Sequence, residues 1–122
     1  MRVLVCGGRN YVDRDAVYRE LDATAAKHGW LTIIEGGAAG ADRLGRKWAK
    51  LHFHGVVTVE ADWPTYGKAA GPIRNARMLS EAKPDLVLAF PGGVGTMDMV
   101  RQAREAGVKA EWVFGFIGEG VL

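Results

Sequence analysis

The sequence predicts a three-layer α/β domain of Rossmann-like type with a five-stranded parallel sheet. Apolar runs alternate with amphipathic stretches from end to end. Three of the five runs stop at paired glycines, Gly7-Gly8, Gly36-Gly37 and Gly92-Gly93. Continuous apolar strands between helices mean a parallel sheet covered on both faces, because a sheet with one wet face would alternate. Right-handed crossovers then set helices on either side of it.

The elements follow in order. Val3-Leu4-Val5 is a buried strand. Asp13 caps a helix that ends near His28-Gly29, with Val17, Leu21, Thr24 and Ala25 on one face and Gly29 placed for a left-handed cap. Leu31 to Ile34 form the second strand. A helix from Ala41 to His52 turns Leu44, Trp48 and Leu51 inward, and Gly55 ends it. Val56 to Val59 form the third strand. Residues 61–71, Ala-Asp-Trp-Pro-Thr-Tyr-Gly-Lys-Ala-Ala-Gly, read as a long loop of the kind that is often functional. Pro72 then opens a short helix, where a missing N–H costs nothing. Asp85 to Phe90 form the fourth strand. Met97, Val100 and Ala103 face the core from a helix ending at Gly107, and Lys109 to Phe114 form the fifth strand. The apolar, Gly-rich stretch 115–122 fits none of these elements.

At 122 residues the chain makes one domain, 1–122, with no repeat or linker. Its 48% hydrophobic and 25% charged residues argue against disorder. A net charge of +2 gives no reason to expect nucleic acid or a membrane as partner. Glycine stands out, 17 residues against the usual ~7%, and its clustering marks backbone positions of special geometry. No apolar run approaches the ~18 residues of a membrane span. The start, Met1-Arg2-Val3-Leu4-Val5, has no signal-peptide pattern, and the single cysteine, Cys6, suits a reducing compartment. A cytoplasmic location is expected.

In a parallel sheet the three glycine pairs gather along one edge, the edge where open α/β sheets bind ligands. Glycines there let backbone N–H groups approach, and the following helices aim their positive ends at the same place, so an anion is favoured. The most specific string is Pro91-Gly92-Gly93-Val94-Gly95-Thr96. It offers several free N–H groups and a hydroxyl, a phosphate cradle without the Gly-Lys-Ser/Thr ending of a P-loop.

These motifs resemble the SLOG superfamily, which groups LOG cytokinin-activating enzymes, DprA/Smf proteins, molybdenum-cofactor carriers and YpsA-related proteins. Val5-Cys6-Gly7-Gly8 and Gly36-Gly37-Ala38-Ala39-Gly40 are similar to the first and second LOG loops. Ala61-Asp62-Trp63 and Gly71-Pro72-Ile73-Arg74-Asn75 look closer to the YpsA-related branch. LOG enzymes cleave the N-glycosidic bond of nucleoside 5′-monophosphates with an Arg and a Glu. The resemblance places that Arg at Arg74, turns the adjacent Lys into Asn75, and puts Met99 where the Glu belongs. Met99 carries no charge, and Asp98 beside it lies about 100° around the helix. The binding part of the pattern survives and the catalytic part is broken, which leaves open whether the chain is an enzyme.

The expected ligand-binding residues are Gly7, Gly8, Arg9, Gly36, Gly37, Ala38, Arg74, Asn75, Pro91, Gly92, Gly93, Gly95 and Thr96, with Arg74 and Asp98 as weak catalytic candidates. Arg74 can grip a phosphate through two bonds, while Arg77 and Lys68 read equally well as solvated. Trp63 and Tyr66 stack a base or shield it from water, pin their loop to the core, or meet a partner subunit. Asp42 caps its helix or meets a ribose or metal. Cys6 reads as a small buried hydrophobe. His28, His52 and His54 have no neighbouring metal partners in sequence. Neither cofactor nor metal is expected. The expected partner is a nucleotide or other small phosphate-bearing molecule, bound by a sensor or binding module, with a LOG-type hydrolase or a cofactor carrier as alternatives. A homo-oligomer follows from the resemblance and from Trp112, Phe114 and Phe116, an apolar surplus for a small chain.

Overall fold

A computed structural model of the chain describes residues 1–114; the stretch 115–122, and Phe116 within it, lie outside the described residues. Strands β1 (Arg2–Cys6), β2 (Thr32–Glu35), β3 (Gly55–Thr58), β4 (Leu86–Ala89) and β5 (Lys109–Trp112) alternate with helices α1 (Arg14–His28), α2 (Ala41–Leu51), α3 (Trp63–Tyr66), α4 (Ala70–Arg77) and α5 (Val94–Glu105). All strand pairs are parallel, in the order β3-β2-β1-β4-β5. The chain steps outward from β1 to β3, then returns to lay β4 and β5 on the other side. The order therefore reverses between β1 and β4, a topological switch point where a crevice opens beyond the strand ends.

Both faces of the central strands β2, β1 and β4 are buried, which is why they read as largely apolar runs, whereas the edge strand β5 alternates, with Lys109 and Glu111 paired at 3.0 Å. Val3, Val5, Ile33 and Leu88 pack against Val17 and Leu21 of α1 and Trp48 and Ala49 of α2. Their alternates Leu4, Cys6, Ile34, Val87 and Ala89 pack against Met78, Met99, Val100 and Ala103. Asp13 caps α1 by accepting from the Ala16 N–H at 3.0 Å, and Gly29 carries the positive φ of 83° that its position demands.

Several elements differ from expectation, each for a physical reason. Leu51 is 61% exposed rather than inward. The buried stripe of α2 is Ala41, Gly45, Trp48 and Ala49; Trp48 is inward as expected, while Ala41, Gly45 and Ala49 are small residues that hydrophobicity alone does not flag, and Gly45 lies close on Val5. Met97 is likewise exposed, and Met99 takes the inward place on the stripe Thr96, Met99, Val100, Ala103. Gly55 does not end α2: the helix stops at Leu51, Phe53 takes a positive φ of 61°, and Gly55 begins β3. The expected loop 61–71 is mostly helical. The Asp62 carboxylate accepts from the Thr65 N–H and starts α3, with Pro64 in its first turn. A 3₁₀ turn, Gly67–Ala69, leads into α4, so Pro72 sits inside the first turn of α4 instead of opening it. A π-helical turn, Met78–Ala82, extends α4.

Candidate functional site

The first glycine turn is pinned between its neighbours. The Gly8 N–H donates to the Pro91 carbonyl at 2.9 Å, and the Gly8 carbonyl accepts from the Tyr11 and Ala41 N–H groups at 3.2 and 3.3 Å. Gly40, at φ 79°, makes this approach possible, because a Cβ there would run into the Gly8 carbonyl. The starts of α2 and α5 thus flank the end of β1.

Neither helix start carries a side-chain cap. In α5 the first i→i−4 bond runs from the Met97 N–H to the Gly93 carbonyl, so the amides of Val94, Gly95 and Thr96 precede the ladder. A Cβ on Gly93 or Gly95 would meet nothing within 4 Å, so this backbone faces open space. That space is a cavity of about 720 Å³ at the switch point, within the usual range for small-molecule sites. Of the expected residues, Gly7, Gly8, Arg9, Ala38, Arg74, Asn75, Pro91, Gly92, Gly93, Gly95 and Thr96 line it. Gly36 and Gly37 open instead on an adjoining hollow of about 350 Å³, which shares Arg9, Ala38, Trp63 and Arg74 with the larger one.

The second glycine loop is held by three side chains. Oδ2 of Asp42 accepts from the Gly36 and Ala38 N–H groups at 3.0 and 3.3 Å, and Oε1 of Glu35 accepts from the Gly37 N–H at 2.8 Å. Arg74 Nη1 donates to the Gly36 carbonyl at 2.8 Å. The Thr58 hydroxyl donates to the other oxygen of Glu35. Burial pushes the Asp42 carboxyl up to about 6; Glu35 adds to the shift, while the Ala38 and Gly36 amides and Arg74 oppose it. Asp42 therefore anchors this loop instead of capping α2. Its role was missed because the anchored amides precede the helix in sequence.

Asn75 connects Arg74 to α5. Its Oδ1 accepts from Arg74 Nε at 3.1 Å, and its Nδ2 donates to Asp98 at 3.0 Å and to the Gly95 carbonyl at 3.3 Å. Asp98 lines neither cavity. It also accepts from Arg101 at 2.6 Å and Gln102 at 2.8 Å. Burial opposes its ionisation, but these three donors and the Arg101 charge outweigh it and hold the carboxyl below its usual range. Met99 is 1% exposed and forms part of the cavity floor with Met78.

The other candidates sort by position. Arg9 lies over the Trp63 ring, 5.2 Å from its centroid, and both residues border the two cavities. Tyr66 is exposed and borders neither. Arg77 pairs with Glu81 at 3.3 Å on the surface. Cys6 meets the cavity floor, but burial, aided by Asp42 and opposed by Arg74, raises its thiol far above the ordinary range and keeps it protonated. His54 stacks on Trp48 and accepts from the Leu31 N–H at 2.9 Å. Among the described residues no cluster of three His, Cys, Asp or Glu side chains is placed to hold a metal, and no helix is long and apolar enough to cross a membrane.

Comparison with known proteins bears on the same elements. The model of the YspA, cpYpsA-related SLOG family matches residues 1–66, which include the first two glycine loops. The Gene 61 protein of Mycobacterium phage D29 is 41% identical over 115 residues, spanning 88% of this chain and 91% of that protein. The X-ray structure of TM1055 superposes with a TM-score of 0.68 at 22% identity, over 89% of this chain and 71% of that one, and shares the fold.

Proposed function

Because the chain belongs to the YspA, cpYpsA-related SLOG family, we propose that it binds a nucleotide or nucleotide-like phosphate ligand at the carboxyl edge of its sheet, as a sensor or binding module without turnover. The observation that carries this reading is the uncapped start of α5. Of the amides ahead of the helix ladder, those of Gly95 and Thr96 belong to residues that line the cavity, and no side chain caps the helix start. A helix start of this kind favours a bound anion through its free N–H groups and its dipole. Arg74, on the same cavity, adds a positive charge and forms no salt bridge among the described residues.

The absence of turnover is supported by Met99 on the cavity floor and by Asp98, whose oxygens are taken up by Asn75, Arg101 and Gln102 outside the lining. We read the whole chain as one module. The buried Cys6 supports a cytoplasmic setting. The exposed side chains of Val94, Met97 and Phe114 support a homodimer, which light scattering checks through the solution mass.

Native mass spectrometry of the purified chain, followed by calorimetric titration with nucleoside monophosphates, tests the binding reading. A co-purifying or titratable nucleotide supports it. Absence of binding across the panel refutes it.

A further inference from the structure

We propose that Asp42 is the specificity-determining residue of this cleft and accepts a hydroxyl of a sugar joined to the bound phosphate. The inference rests on the reading that the α5 start takes that phosphate. Asp42 is 6% exposed, yet it lines the main cavity. Its Oδ2 is occupied by the Gly36 and Ala38 amides, and its Oδ1 makes no hydrogen bond among the described residues. The Tyr11 hydroxyl is the only sealed side-chain polar atom without a partner among those residues, so Oδ1 is not sealed but opens on the cavity.

A carboxylate is a strange group to find in an anion site. It accepts hydrogen bonds and donates none, and it repels a second phosphate. The nearby cation does not neutralise it through contact: Arg74 directs Nη1 to the Gly36 carbonyl and Nε to Asn75, with no salt bridge to Asp42. A ligand made only of phosphate gains nothing from this oxygen. A ligand that brings a hydroxyl gains a charge-assisted bond. The backbone links the two ends of such a ligand. Gly8 bonds to Pro91 through its N–H and to Ala41, next to Asp42, through its carbonyl. The phosphate cradle and the open carboxylate oxygen therefore adjoin one turn, as a sugar phosphate requires.

Calorimetry on the full chain with ribose 5-phosphate, 2-deoxyribose 5-phosphate, 3-deoxyribose 5-phosphate and inorganic phosphate tests this. At least one deoxy sugar should bind about tenfold more weakly than ribose 5-phosphate, the size of one hydrogen bond to a charged group. Asp42→Asn, checked for folding by circular dichroism, should abolish that difference. Equal affinity of the native chain for all three sugars, or a preference that persists in folded Asp42→Asn, overturns the proposal while phosphate binding stands. If the variant does not fold, the native ratio decides alone. No binding of any of the four overturns the phosphate reading with it.

Discussion

Arg74 and Gly36, which lie on different elements, are fitted to one another: the guanidinium donates to the glycine carbonyl at 2.8 Å and occupies the space that a side chain at Gly36 would need. Gly36→Ala should therefore push Arg74 out of place and lower affinity for AMP by about tenfold or more, since hydrogen bonds to charged groups are worth about 1.5–3 kcal/mol. Arg74→Ala should cost a similar amount. The double variant should lose little beyond the larger single loss, because both changes remove one geometry. Calorimetric titration of the four proteins checks this; additive losses would show that the two residues act separately.

Gly95→Ala should separate binding from stability. Gly95 is the second residue of α5 with empty space where a Cβ would go, so alanine should leave stability unchanged or raise it by a few tenths of a kcal/mol, less than the full helix-interior difference. The same methyl group intrudes on a ligand resting against the backbone, so affinity for nucleoside monophosphates should fall. Thermal melts and titration on one sample read both effects. An unchanged affinity would count against the cradle.

Incubation of the native chain with a panel of nucleoside monophosphates should release no free base. Asp98→Asn should leave that result unchanged and lower the melting temperature, because Asn75, Arg101 and Gln102 lose a charged acceptor. Met99→Glu should cost a few kcal/mol, on the order of 3, by placing a carboxyl where the side chain is 1% exposed. Rapid base release by the native chain, abolished in Asp98→Asn, would make the protein an enzyme.

Asp42 also predicts how stability varies with pH. Its carboxyl titrates near 6 in the folded chain against an ordinary value of 3.8. The folded state binds this proton more tightly than the unfolded state, so the contribution is full below about 4 and is lost as pH rises through 6. The loss is at most about 3 kcal/mol. Urea unfolding at a series of pH values should show that decline in the native chain and a flatter profile in Asp42→Asn. Parallel profiles would refute it.

The sheet was legible because both faces of its central strands are buried, which turns β1, β2 and β4 into largely apolar runs, and because Asp13 advertises its cap in sequence. The place of the main cavity was legible because glycines mark the strand ends that line it. Helix facing was less so. In α2 most inward positions besides Trp48 are alanines and a glycine, while Leu51, more apolar, ends outside. The helical stretch after Asp62 was hidden by its glycines and proline, although Asp-Trp-Pro is itself a helix start. The clamp of Asp42 on Gly36 and Ala38 depends on a fold-back between loop and helix that no periodicity records.

The central place of β1 has a consequence for assembly on the ribosome. Val3 pairs with Ile33 on one side and with Leu86 on the other, so the strand waits for a partner made long after its first. Through β3, the nascent chain can cover one side of the half-built sheet with α1 and α2, but Leu4, Cys6 and Ile34 stay bare until α5 and the turn at Met78 arrive. Closing so long a loop is entropically slow. Native structure thus comes late in translation, and a nascent chain stalled before β4 exposes a greasy, unpaired strand edge to its neighbours.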